Sequence, residues 1–252
     1  MLCAVSQLKE MNLTDRDGKI AGISGCCFDQ AHWTIRYVAL KSGLQKQHLF
    51  PVALIEESDW PTKALETRLS IEHILGSPMT DSSKPVAVRD EKAVNDYFQI
   101  NYYWSGPGLW GEGMFPEAIR ESASDEKADE RSEARDSEES TLLLRFSELV
   151  GYRIQAKDGI PGEVKDLLFD GDTWRIAYLV VFLPDAGRWI LLSLSWKGKI
   201  DTRRSLIEVF LDSAVIENTP PSDPAKFTSP VYLNKLKDYY ARVTSPGRDQ
   251  IY

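Results

Sequence analysis

Residues 6–40 read SQLKEMNLTDRDGKIAGISGCCFDQAHWTIRYVAL, and residues 147–181 read SELVGYRIQAKDGIPGEVKDLLFDGDTWRIAYLVV. At a constant offset of 141, Ser6, Leu8, Asp17, Gly18, Phe28, Asp29, Trp33, Ile35 and Tyr37 recur as Ser147, Leu149, Asp158, Gly159, Phe169, Asp170, Trp174, Ile176 and Tyr178. Other apolar positions are exchanged conservatively, such as Ile23 for Val164 and Val38 for Leu179. An internal repeat fixes domain count and topology before any single residue is weighed. What repeats is core and turn chemistry, and no catalytic constellation repeats with it.

The second copy is the easier to read. Leu143–Leu149 looks like a short helical turn, and Lys157–Gly162 is a turn whose two glycines accept positive φ. Glu163–Phe169 and Trp174–Leu183 are strands flanking the hairpin string Asp170-Gly171-Asp172. Arg188–Leu194 and Ser205–Leu211 are further strands, separated by Lys197-Gly198-Lys199. Asp212 is placed to cap a short helix, Ser213–Asn218. Ser229-Pro230 opens Val231–Val243, where Leu233, Leu236, Tyr239 and Tyr240 make one apolar face. The first copy follows the same plan: strands at Ile23–Phe28, Trp33–Leu40, His48–Leu54 and Ala64–Leu69, then helices at Ser70–Leu75 and Glu91–Tyr103. Its tail aligns at an offset of 142, pairing Asp96-Tyr97-Phe98 with Asp238-Tyr239-Tyr240. Five or six short strands trailed by one or two helices predict a mainly β protein with short helices (β + α), built from two tandem small β-barrels.

This divides the chain into a diverged first domain over 1–101 and a second over 141–243. Between them lie an aromatic, glycine-rich segment over 102–116 and an acidic linker over 117–140. A tail covers 244–252. The linker holds ten acids against four basic residues and carries −6 of the net −8, so the two repeats are close to neutral. Neither has the positive face expected of a direct nucleic-acid reader. The linker composition favours a mobile tether spanning roughly 25–30 Å as a flexible coil. No run approaches the ~20 apolar residues of a membrane span, and the N-terminus lacks a secretory pattern. Cys26 and Cys27 are adjacent in a strand and point to opposite faces, so neither a disulfide framework nor a metal site is expected. A reducing cytoplasm is the expected compartment.

The string Gly162–Asp170 (GEVKDLLFD) followed by Trp174–Val180 (WRIAYLV) resembles the PRC-barrel family. Ile216–Pro224 (IENTPPSDP) and Leu236–Tyr240 (LKDYY) look like the tail of its branch similar to the photosynthetic reaction-centre H subunit. The match covers most of 143–243 and, more weakly, 3–104, so the chain resembles the tandem PRC-barrel proteins of bacteria. Copy one departs at Gly25-Cys26-Cys27, where copy two has Asp166-Leu167-Leu168, and at Pro78-Met79, where copy two has Pro220-Pro221. The resemblance implies a barrel that serves as an interaction module. It brings two further roles: a ribosome-maturation-like, RNA-linked factor, and a peripheral component of a photosynthetic or other membrane redox complex.

Candidate sites are few. Asp166, Asp170 and Asp172 form an acidic turn that suits a hard cation, but the spacing is not that of an EF-hand loop, and hairpin chemistry explains Asp170-Gly171 without an ion. His32, His48 and His73 do not recur in copy two and stand near no nucleophile motif. The glycines of Gly106–Gly113 do not follow a strand or include a Gly-Lys-Ser/Thr string, so a phosphate loop is not indicated. Trp104, Leu109, Trp110, Met114 and Phe115 lie outside either repeat. Two readings stand open: a flap over an exposed barrel face or the gap between the barrels, or an aromatic contact patch for a partner. The expectation is therefore a non-enzymatic cytoplasmic adaptor or scaffold that binds a protein partner, without catalytic residues, metal or cofactor, and with homodimer formation also open.

Overall fold

The computed structural model describes residues 1–120 and 143–243. The expected acidic linker beyond Arg120 and the tail 244–252 lie outside the described residues. The described chain is mainly β with a few short helices and divides into two compact units. Among the described residues, the first comprises Met1 and residues 3–120, 143–148 and 170–175; the second comprises Leu2 and residues 149–169 and 176–243.

After β1 (Leu2–Ala4), the strands of the first unit are β2 (Asn12–Thr14), β3 (Ile20–Asp29), β4 (Thr34–Lys41), β5 (Lys46–Pro51), β6 (Glu57–Asp59), β7 (Ala64–Glu66), β8 (Met79–Asp81) and β9 (Leu143–Arg145). They lie in the order β6-β7-β2-β3-β4-β5-β8, with β9 also pairing with β3. The second unit has β10 (Arg153–Gln155), β11 (Gly162–Asp170), β12 (Ile176–Leu183), β13 (Arg188–Ser193), β14 (Lys197–Asp201) and β15 (Leu206–Val209). Their order is β13-β12-β11-β10-β15-β14, the first unit's order repeated from β5 through to β6. Both paths are open and neither sheet closes into a ring.

The duplicated sequence produces duplicated irregularities as well as duplicated strands. One parallel pair occurs in each unit at matching register, Asn12 opposite Ala64 and Arg153 opposite Leu206. Register shifts fall between Ile23 and Gly25 and between Cys27 and Phe28, and recur between Val164 and Asp166 and between Leu168 and Phe169. Such bulges bend a strand and increase its twist. Trp33 and Trp174 both take positive φ, 53° and 59°, at the end of the same hairpin. Lys63 and Ser205 do so at the entry to β7 and β15, 59° and 53°. Left-handed backbone at four non-glycine residues costs energy that only the surrounding structure can offset.

Alternating apolar residues supply each core: Leu13, Ile35, Val38, Phe50 and Leu65 in the first unit, and Ile154, Leu167, Val181, Ile190 and Ile207 in the second, all essentially inaccessible. Each such side chain contributes roughly 1.5–3 kcal/mol relative to exposure. Helix ends are held equivalently too. The N–H of Ile71, opening α1 (Ile71–Leu75), donates to Asp15 at 3.0 Å. The second unit's counterpart, the Ser213 N–H opening a helix over Ser213–Glu217, donates to Asp158 at 2.6 Å, while Asp212 makes no side-chain cap.

Element boundaries differ from the sequence reading at several points; for example, the strands expected over His48–Leu54 and Ala64–Leu69 run Lys46–Pro51 and Ala64–Glu66. The helix expected over Glu91–Tyr103 is α2 (Val88–Phe98), stopped by Gln99 in the left-handed region at φ 55°. Leu143–Arg145 is a strand because β3 offers it a pairing edge, and helix begins only at Phe146. Lys197-Gly198-Lys199 lies within β14 rather than between strands. Gly198 permits the close approach, since a Cβ there would meet the Glu208 side chain at 2.9 Å.

Candidate functional site

Strand β4 (TIRYVALK) is buried from Thr34 to Leu40, so it must bury Arg36 as well. A buried guanidinium is tolerated only when its donors and charge are met. Arg36 Nη2 donates to Asp29 Oδ2 at 3.1 Å and Nη1 donates to the Leu109 carbonyl at 2.7 Å. Its guanidinium also lies over two rings, 3.9 Å from the Tyr103 centroid and 4.4 Å from that of Trp110. Burial opposes ionisation of Asp29, but the hydrogen bond from His32 and the charge and hydrogen bond of Arg36 outweigh it, holding the carboxyl at about 2. Tyr103 donates to Glu91 at 2.9 Å and Tyr37 donates to Asn95 at 2.9 Å, so a polar network runs from β4 to α2.

This network pins the 102–115 segment. Trp110 is buried, its Nε1 donating to the Thr173 carbonyl at 3.1 Å, and Leu109 is buried beside it. The backbone folds tightly on itself: Gly108 N–H donates to Gly111 O at 2.7 Å and Trp110 N–H to Gly113 O at 2.8 Å. A side chain on Gly108 would collide with the Gly113 carbonyl, which accounts for the glycine there. Trp104 is half-buried and stacks on Tyr102 at 4.9 Å. The five candidate residues thus separate: Leu109 and Trp110 anchor the segment, while Met114 and Phe115 are 56% and 54% exposed.

Phe115 borders a cleft of about 360 Å³. Trp60 and Trp174 also line it, with Glu56, Glu57, Glu117 and Asp172, and no lysine or arginine does so. Glu56 pairs with Arg68, and Glu117 lies 3.7 Å from Arg120. Asp170 and Asp172 each approach the amino group of Met1 at 3.5 Å. Glu57 makes no ion pair with a described residue. The structure therefore brings Phe115 of the aromatic segment and Asp172 of the acidic turn to one cleft. Asp170 stands beside it, and its Oδ1 closes the turn by accepting from Asp172 N, Thr173 N and Thr173 Oγ1. Asp166 belongs to β11 in the second unit, where it accepts from Leu167 N.

The histidines have structural partners: His32 with Asp29 at 2.7 Å, His48 with Ser77 at 3.1 Å, and His73 stacked on Tyr97 at 4.9 Å. All three cysteines are buried thiols, and burial pushes Cys27 up to about 12 and Cys3 to about 11. Among the described residues no group of three potential metal ligands is found, and no helix is long and apolar enough to cross a membrane. The sequence reading missed Arg36, Asp29 and Glu91. The signal was present: at the repeat offsets, Arg36 stands where copy two has Ala177, and Glu91 where it has Leu233. No protein-family model and no curated protein matches the chain.

Proposed function

We propose that the chain is a non-catalytic adaptor whose first unit captures a lysine- or arginine-bearing segment of a partner protein in the cleft bordered by Phe115, Trp60, Glu57 and Asp172. The observation that carries this reading is the meeting of aromatic and acidic side chains, drawn from separate parts of the sequence, on one cleft that no lysine or arginine side chain lines. Aromatic walls give contact area at low entropic cost and attract cations over their faces, while carboxylates favour a basic partner and speed its approach. The Arg36 network supports the role by fixing Phe115 on a folded segment, which lowers the ordering cost of association.

The architecture we assign to this adaptor is a pair of diverged PRC-like barrels. The repeated strand order, the shared parallel pair and the bulges at equivalent positions support it. The test is charge reversal. Glu57→Lys should weaken capture of the native partner at least about tenfold while leaving the melting temperature unchanged, and raised salt should weaken the wild-type complex. A partner that binds Glu57→Lys as tightly as wild type would sink the reading.

A further inference from the structure

We propose that the first unit also carries a binding site for a small phosphate group, either the free anion or the head of a phosphorylated metabolite. The site is a cavity of about 220 Å³, separate from the acidic cleft in all its lining residues. Lys9, Lys41, Lys46 and Arg145 line it, and no aspartate or glutamate does. Lys9, Lys41 and Lys46 pair with no described carboxylate.

The independent pointer to a ligand is buried. Gln47, only 5% exposed, lines the cavity and its Nε2 has no hydrogen-bond partner. Arg145 uses Nη1 on Glu148 at 3.2 Å and Nη2 on the Asp81 carbonyl at 2.9 Å, yet its buried Nε has no partner. Two unmet donors inside a folded core are costly unless an acceptor arrives. A phosphate supplies several acceptor oxygens and a charge that lysines meet as point cations. The volume falls below the ~300–1,000 Å³ of pockets for drug-sized ligands, which fits a small anion.

The second copy shows that these features are particular to the first. At the repeat offsets, Lys9, Gly25, Lys41 and Gln47 correspond to Val150, Asp166, Phe182 and Trp189. In the second unit Phe182 and Trp189 pack ring against ring at 5.1 Å, where the first unit has Lys41 and Gln47. Gly25 keeps a carboxylate away from the cavity, at the position where the repeat carries one.

The experiment is calorimetric titration of the full chain with inorganic phosphate and, separately, with glycerol 3-phosphate. One-site saturable binding is expected, with glycerol 3-phosphate at least about tenfold tighter if the natural ligand is an organic phosphate, and inorganic phosphate as tight or tighter if it is the free anion. Lys41→Gln with Lys46→Gln should weaken binding about tenfold or more. Gln47→Leu should weaken it similarly without altering net charge, which separates a built site from general attraction. Lys199→Gln, in the second unit, should change nothing. Absence of saturable binding by both probes would overturn the proposal. So would binding that survives Gln47→Leu in a variant with wild-type circular dichroism, or that falls equally in Lys199→Gln.

Discussion

Replacing Arg36 by methionine removes the charge while keeping a side chain of similar length, and so isolates what the guanidinium does. The variant loses the bond to Asp29 at 3.1 Å, the bond to the Leu109 carbonyl at 2.7 Å, and the contacts with Tyr103 and Trp110. Asp29, 1% exposed, would keep the His32 ring at 2.7 Å and the Ala31 N–H at 2.8 Å but no guanidinium. Removing one member of a buried pair typically costs about 3–5 kcal/mol. Because the Leu109 carbonyl is also orphaned, a loss of at least about 3 kcal/mol is expected in urea unfolding of the full chain. The pH dependence has a definite sign. Asp29 is depressed to about 2 from 3.8, so its stabilisation is complete above the unfolded value and disappears as pH falls from 4 through 2. The depression corresponds to about 2 kcal/mol. In Arg36→Met that acid sensitivity should shrink. Limited proteolysis gives a second readout, because without its anchor the 102–115 segment should be cut faster than the rest of the first unit. Asp29→Asn combined with Arg36→Met should cost less than the two single changes together, since no unpaired charge remains. A loss below about 1 kcal/mol, with 102–115 still protected, would refute the argument that Arg36 holds the segment.

Other outcomes follow from single features. Gly108→Ala should loosen the 102–115 segment and lower the first unit's melting temperature, because the added methyl meets the Gly113 carbonyl; an unchanged melting curve would contradict the close approach. Asp15→Ala and Asp158→Ala should each lower thermal stability by releasing the N–H of Ile71 or Ser213, with asparagine restoring part of the loss at either site. Cys3 and Cys27, raised to about 11 and 12, should resist a disulfide reagent at pH 8 in the folded chain and react on unfolding. Rapid modification of either in the native protein would show that the thiol is not buried as described.

Much of the fold was legible because duplication writes each element twice. Phe28-Asp29 to Trp33 and Phe169-Asp170 to Trp174 identify the hairpin in both copies, and the positive φ of both tryptophans explains why their spacing is kept. What sequence did not show depends on partners distant along the chain. Leu143–Arg145 pairs with β3 over more than a hundred residues, and local pattern carries no trace of that edge. Whether the sheets would close is likewise decided by long-range pairing rather than by strand content. The 102–115 segment stood open between flap and contact patch. The structure divides it by residue: Leu109 and Trp110 are buried anchors, and Met114 and Phe115 reach solvent. The basic cavity gathers Lys9, Lys41, Lys46 and Arg145 from distant parts of the chain, where each reads alone as an ordinary surface charge.

The adaptor reading is tested most directly by placing a photo-crosslinking phenylalanine analogue at position 115 of the full chain, irradiating in the native cell and sequencing the attached peptide. The attached partner segment should carry lysine or arginine within a few residues of the crosslink, with the yield falling sharply in Glu57→Lys. A crosslinked segment that is acidic or uncharged, or a yield indifferent to Glu57→Lys, would contradict it.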